Sequence, residues 1–364
     1  MAMSPEQQEV WALLEQGMTR RQIADHLGLT YGQVKKRIDR AKKWADTDPA
    51  ILSAMQAVGT EMTPHGVWAK VDGYSVYLRP PQIQDSLLDR VREAMDGITP
   101  AKPVAPAANL LNNLCTVYPI ADRHNGLRAW GRETGEDYDH KIAGKRLVEW
   151  VGKCVDASPA SELAVVLDVG DGEHMDDATN ATPTSKHALD VDTRVFLTIE
   201  TSVESLATAI DLALAKHGKV IVRVLPGNHN PTLYLAILFA LAERYRDEPR
   251  VEVQKVPGEF WVQEFGQCMF MAHHGDKAKP DRIVHFVADE FAPMWGRTQH
   301  RFLWTGHMHH MKAQDIGGVQ WEQLRAMTAR DAYAFSNAYT ARAQLQAITF
   351  DKDRGEVSRV KVAC

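Results

Sequence analysis

Five short segments of the chain set aspartate, asparagine and histidine beside glycine. They are Asp122-Arg123-His124-Asn125-Gly126, Gly170-Asp171-Gly172-Glu173-His174, Pro226-Gly227-Asn228-His229-Asn230, Ala272-His273-His274-Gly275-Asp276 and Thr305-Gly306-His307-Met308-His309-His310. Imidazole mixed with carboxylate suits Mn, Fe or Zn, and one shared carboxylate can hold two cations close together. In extended chain, alternate side chains face one side, so Asp122 with His124 and His307 with His309 can each reach a common ion. Glycine lets the backbone turn sharply and lets a phosphate approach it. Two cations about 3.5–4 Å apart can activate a bridging water and stabilise both oxygens of an in-line displacement. Taken singly, Gly227-Asn228 is an ordinary turn, Asp122 with His124 a surface pair and His307–His310 an exposed tract. Their joint occurrence favours one shared site.

Each segment follows an apolar run of β type: Val117–Ile120, Leu163–Val169, Val220–Leu225, Cys268–Met271 and Phe302–Trp304. Loops at strand ends are where a sheet builds its site. Between these runs, Val203, Leu206, Ile210 and Leu214 mark an amphipathic helix ended by Gly218, and Leu233–Arg246 is another, stopped before Pro249. The alternation predicts an α/β domain. Leu345–Phe350 and Val357–Val362, joined through Asp351–Gly355, predict a closing hairpin. Trp295, Trp304 and Trp321 are expected in the core.

Asp-x-His, Gly-Asp, Gly-Asn-His, a lone histidine after a strand, and Gly-His-x-His in that order resemble the calcineurin-like metallophosphoesterase superfamily, over roughly residues 112–320. The resemblance implies a two-sheet sandwich flanked by helices. It also implies two divalent metal ions, Mn first, with Fe, Zn or Mg tolerated. By that resemblance Asp122, His124 and His309 bind one metal, Asn228, His274 and His307 bind the other, and Asp171 bridges them. His229 corresponds to the histidine that contacts phosphate and helps protonate the leaving group, and attack on phosphorus is by a metal-bridging hydroxide. The chain departs from the pattern in four places. Asn230 stands where Asp or Glu is usual, so an amide could only orient His229. Arg123 replaces an apolar residue and either touches substrate phosphate or points to solvent. His174 and Asp176 stand in place of a clear Gly-Asp-x-x-Asp. His273 competes with His274, which is preferred because His-Gly-Asp resembles the family's His-Gly-His.

The first forty residues read differently. Ser4/Gln7, Thr19/Gln22 and Thr30/Gln33 each form a capping box, and Gly17 and Gly28 stand where the first two helices need a left-handed end. Val10, Leu13, Leu14, Ile23, Leu27, Val34 and Ile38 would close a small core. Between Arg20 and Lys43 eight Lys/Arg face two acids, a local balance of +6 on a chain of net charge -5. Met18–Trp44 resembles the helix-turn-helix of transcriptional and phage-type DNA-binding proteins. That resemblance sends the third helix into the major groove, with Lys35, Lys36, Arg37 and Arg40 at phosphates or base edges and Thr30, Tyr31 and Gln33 at the helix start. The alternative is a basic helix that docks on protein.

The expected organisation is a helix-turn-helix domain over 1–46, a linker over 47–108 with a short hairpin around Asp72-Gly73, and a metallophosphoesterase domain over 109–364. Pro80-Pro81 and Thr99–Pro106 mark the linker. Cys115, Cys154, Cys268 and Cys364 include no CxxC pair, which argues for a reducing compartment and against a thiolate zinc site. A polar start and no apolar run near the roughly 20 residues that span a bilayer predict a cytoplasmic protein without a membrane partner. The leading expectation is a metal-dependent phosphodiesterase acting as a DNA nuclease of the phage or repair-nuclease branch, with DNA and a phosphate ester as partners. A phosphatase acting on monoesters or phosphoproteins, and a DNA-binding regulator with an inert metal domain, are the alternatives.

Overall fold

A computed structural model describes residues 4–45, 67–71, 74–78, 100, 101, 104, 105 and 108–363. The chain divides into two compact units, Met1–Arg90 and Val91–Cys364. The first holds α1 (Pro5–Glu15), α2 (Arg20–Leu27) and α3 (Tyr31–Ala45). Capping boxes start all three: Ser4 with Gln7, Thr19 with Gln22, and Thr30 with Gln33, whose Oε1 accepts the Thr30 N–H at 2.8 Å. Gly28 ends α2 at φ 63°. Val10, Ile23, Ala24, Val34 and Ile38 form the buried core, with Leu13, Leu14 and Leu27 packed on it. In the same unit β1 (Val67–Val71) pairs antiparallel with β2 (Tyr74–Leu78). Asp72 and Gly73, expected to make that turn, lie outside the described residues, as do Asp46, Pro80, Pro81, Cys364 and part of Thr99–Pro106.

The second unit is built on two mixed sheets. The first sheet takes β3 (Leu111–Ile120), β4 (Ser161–Asp168), β5 (Lys219–Val224) and β6 (Val251–Val253) in parallel. Beyond β3 it continues through antiparallel β12 (Gln344–Asp351) and β13 (Gly355–Ala363), the closing hairpin. The second sheet runs β10 (Lys312–Ile316), β11 (Val319–Gln323), β9 (His300–Thr305), β8 (Cys268–Ala272), β7 (Trp261–Phe265).

Strand periodicity explains the layering, because successive side chains point to opposite faces. On one face Cys115, Val117, Val165 and Leu167 of the first sheet meet Phe270, Phe302 and Trp304 of the second. On the other face Tyr118, Ile120 and Val166 pack under α5 (His140–Ala157), α6 (Val195–Lys216) and α7 (Tyr234–Arg244) through Leu147, Trp150, Leu206 and Leu238. The outer face of the second sheet, Met269, Met271 and Leu303, is covered by Ile283, Val284 and Val287 of α8 (Pro280–Glu290). Helix, sheet, sheet, helix is the resulting order. Trp304 and Trp321 are buried, whereas Trp295, on the short α9 (Ala292–Arg297), is half-buried against Arg301. Two further short helices, α4 (Gly131–Thr134) and α10 (Ala332–Ser336), pack against each other. No described helix is long and apolar enough to cross a membrane.

Candidate metal centre

The five segments leave the carboxyl ends of β3, β4, β5, β8 and β9. Parallel pairing puts the ends of β3, β4 and β5 on one side, and likewise those of β8 and β9. The loops are then sewn together by backbone. His124 N–H donates to Asp171 O (3.0 Å), Asn125 N–H to Gly172 O (2.9 Å) and His174 N–H to Asn125 O (3.0 Å), zipping the first loop to the second. His229 N–H donates to Asp171 Oδ1 at 2.7 Å, and His307 N–H to both Asp122 oxygens at 3.0 and 3.1 Å.

These contacts demand unusual backbone. Nine non-glycine residues have positive φ among the described residues, and five of them are Asp122, His124, Asp171, His307 and His309. Left-handed backbone costs energy in a side-chain-bearing residue and persists where surrounding structure forces it, commonly at functional sites. Two glycines permit the close approach. A Cβ on Gly227 would lie 2.1 Å from Asp171 Oδ1, and one on Gly306 would lie 2.7 Å from Asp122 Oδ2.

Three donor groups result at these strand ends among the described residues, the third being His124, His174 and His229. Asp122, His124 and His309 bring their ligand-type atoms within 4.8 Å of one another, and so do Asp171, His274 and His307. In the first set His124 Nε2 stands 3.0 Å from His309 Nε2, which is 3.6 Å from Asp122 Oδ1. In the second, His274 Nε2 lies 3.1 Å from Asp171 Oδ2 and 3.2 Å from Asn228 Oδ1. His307 stands edge-on to His274, ring centroids 5.3 Å apart. The Asp171 carboxylate acts electrostatically on His124 and His309 as well as on His274 and His307.

The chemistry of these donors fits divalent cations. His274 Nδ1 is 3.0 Å from the Val169 carbonyl, an acceptor, so its N–H is spent there and the Nε2 lone pair faces two oxygen acceptors. Only a proton or a cation reconciles three electron-rich atoms at that spacing, and a histidine whose second nitrogen donates to a carbonyl is the usual metal-ligand arrangement. Charge tells the same story. Burial draws the His274 imidazole down, but the carboxylates of Asp171, Asp122 and Asp276 together outweigh it and push it up to about 10. Burial, reinforced by Asp171, pushes the Asp122 carboxyl up to about 7 despite the opposing pull of His274. Buried like charges of this kind call for a compensating cation.

His229 directs its Nδ1–H to the His174 carbonyl at 2.9 Å, leaving Nε2 free of that bond. Of the two adjacent histidines, His274 faces Asp171, whereas His273 Nδ1 accepts the Gly275 N–H and its Nε2 lies 3.7 Å from Glu259. Two expectations are corrected. Arg123 reaches neither substrate space nor solvent: it is 3% exposed and pairs with Asp168 (2.9 Å) and Glu173 (3.2 Å). Asn230 does not orient His229. Its Oδ1 accepts from Gly227 N–H and its Nδ2 donates to Glu173 Oε2 at 2.7 Å. Asp176 is structural, accepting the Thr232 and Leu233 N–H groups ahead of α7. His174 is brought in, its ring 5.2 Å from that of His124 and 5.1 Å from that of His229. Glu173, which joins the first loop to the third, was missed; its one signal was an acid next to a histidine just after Asp171.

In the first unit Thr30 and Gln33 are engaged in the cap of α3, and Arg37 pairs with Glu6 at 3.1 Å. Tyr31, Lys36 and Arg40 are exposed and Lys35 is half-buried.

No protein-family model matches the chain, and no curated protein matches it. Among solved structures it is similar to a conserved protein of Streptococcus pneumoniae described as a predicted phosphoesterase (12% identity, 69% of this chain, 98% of that one, TM-score 0.29). It is also similar to an archaeal phosphodiesterase (11% identity, 68% and 99%, TM-score 0.35). A third is the Zn-complexed Vps29 of Entamoeba histolytica (13% identity, 68% and 98%, TM-score 0.28).

Proposed function

We propose that the chain is a metal-dependent phosphodiesterase, and that its substrate is nucleic acid, to which the three N-terminal helices bring it. The observation that carries the reading is a pair of donor sets, Asp122 with His124 and His309 and Asp171 with His274 and His307, with the Asp171 carboxylate acting electrostatically on histidines of both. In this reading residues 1–46 are the DNA-binding domain, 47–108 the linker and 109–364 the catalytic domain. Mn is the first candidate for both positions. Two bound cations would supply Lewis acidity to the phosphoryl oxygens and an activated water as nucleophile.

The protein's own contribution is orientation and proton handling. His229, with Nδ1–H held on a carbonyl, can take a second proton at Nε2 and give it to the departing ester oxygen. Asp122 and Asp171 are fixed by backbone N–H donors before any substrate arrives, so little reorganisation remains for the reaction.

Nucleic acid is favoured over a small monoester by exposed aromatic side chains on the segment that follows a backbone contact with Asp122. Thr328 N–H donates to Asp122 O at 3.2 Å, and the chain then runs into α10, where Tyr333 (63%) and Phe335 (47%) are exposed, and on to Tyr339 (55%) beyond it. Trp130, 51% exposed, precedes α4, which Arg330 ties to this segment through Thr134 O. Exposed aromatic rings with arginines, here Arg132 over Trp130 and Arg330 over Phe335, would give unpaired bases surfaces to stack on. The test is a panel of duplex DNA, single-stranded DNA, bis-aryl diester and monoester with Mn²⁺. Diester cleavage abolished by His309→Ala, with Trp130→Ala weakening single-stranded substrate alone, is expected. Monoester hydrolysis alone favours the phosphatase reading; no turnover with several metals but retained DNA binding favours the regulator.

A further inference from the structure

His174 has two contacts with the site, and each is made to a ring nitrogen of a neighbouring histidine. Its carbonyl takes the Nδ1–H of His229. Its ring Nδ1 stands 3.2 Å from His124 Nδ1, on the opposite edge of the imidazole from the His124 Nε2 that meets His309. One of two nitrogens at that distance must donate and the other accept. If His124 gives its Nε2 lone pair to a cation, its proton is on Nδ1, and the His174 Nδ1 is the acceptor. His174 must then carry its own proton on Nε2. That atom is buried and has no hydrogen-bond partner in the protein.

We infer that His174 is a positioning residue for the cation held by Asp122, His124 and His309: its Nδ1 accepts the His124 Nδ1–H and so keeps His124 Nε2 turned to the metal. The inference rests on the dinuclear reading above. A buried Nε2–H without an acceptor is costly, so in this arrangement it is the cation's claim on His124 Nε2 that holds the tautomer in place. Placement supports the role. His174 is three residues beyond Asp171, and its N–H is bonded to Asn125 O, one residue beyond His124, so the acceptor is fixed relative to both donor sets. Partners of this kind tune metal affinity about 10–100-fold.

The experiment is Mn²⁺ and Zn²⁺ binding to the full chain by calorimetry, with metal content measured after dialysis, for the parent, His174→Leu and His174→Asn. Asn places an amide oxygen near the position of Nδ1 and keeps an acceptor; Leu fills the volume without one. The parent should bind two cations. His174→Leu should bind one as the parent does and the other about 10–100-fold more weakly, while His174→Asn stays within about threefold of the parent, the scatter expected of a conservative change. Imidazole nitrogen spectra of the Zn-loaded parent should show His124 protonated at Nδ1, a readout that survives if the Leu variant does not fold. Equal affinities for parent and His174→Leu, an Asn variant as weak as Leu, or His124 protonated at Nε2 overturns the inference and leaves the dinuclear reading standing. A parent that binds no cation overturns both.

Discussion

Asp171 is held at φ 50° with its Oδ1 on the His229 N–H, and the loop that provides this donor can approach only because residue 227 has no side chain. The atoms that a Cβ on Gly227 would meet include the Asp171 backbone N at 2.4 Å, which cannot move aside as a flexible side chain would. Gly227→Ala should therefore displace Asp171 or the Asn228 loop, and both belong to one donor set. A displacement of ~1 Å costs on the order of 100-fold in turnover. Steady-state diester hydrolysis by Gly227→Ala at saturating Mn²⁺ checks this, and a rate within about threefold of the parent would contradict it. The residue types here stand in the sequence, where His274 is preferred over His273 for the His-Gly-Asp that it opens. Arg123 and Asn230 were not, because their partners Asp168 and Glu173 lie 45 and 57 positions away.

At the scale of elements, the loops after β3, β4 and β5 are joined by one buried network, Arg123 with Asp168 and Glu173, and Glu173 with Asn230. Removing one partner of a buried ion pair leaves an uncompensated charge and costs about 3–5 kcal/mol. Arg123→Ala should lower unfolding free energy by about that amount, since it leaves the Asp168 and Glu173 carboxylates buried without their cation. Urea unfolding checks it, and a change under about 1 kcal/mol would show that the network is weak.

A second element-scale device lies where α6 meets β4. His217, just past α6, accepts the Ser161 N–H at Nδ1 and directs Nε2 to the Tyr118 hydroxyl at 2.7 Å. Burial lowers its imidazole to about 4. A folded-state value below the unfolded one means that the unfolded chain binds the extra proton first. Stability is then full above about pH 6.5 and is lost as pH falls from there to about 4, by about 3 kcal/mol. Unfolding titrations of the parent and His217→Asn at pH 4.5, 5.5 and 7 should converge as pH falls, because the variant lacks this contribution. A difference that is constant with pH would contradict the assignment.

For the whole molecule, the two compact units point to separable tasks. The second unit contains all seven residues that the resemblance makes metal ligands, while the local excess of positive charge is in the first. Deleting residues 1–46 should leave hydrolysis of a bis-aryl diester intact while weakening affinity for duplex DNA. It should also flatten the dependence of binding on salt, since each lost phosphate contact removes about one counterion from the slope. Fluorescence anisotropy at 50 and 200 mM salt, beside the diester assay, measures both; unchanged duplex affinity would place the DNA contacts elsewhere.

What the sequence alone determined is local. The capping boxes of Ser4, Thr19 and Thr30, the two-residue period of Cys268–Ala272 and the closing hairpin all depend on residues a few positions apart, where hydrogen bonding and side-chain alternation act directly. The short polar strand β10 was not legible, since Lys312–Ile316 is exposed at four of five positions and shows no apolar alternation. Only the tertiary structure decided the partners: Glu173 for Arg123, Val169 O for His274, His174 for His124. These choices depend on which strand ends lie side by side, and long-range sheet pairing decides that.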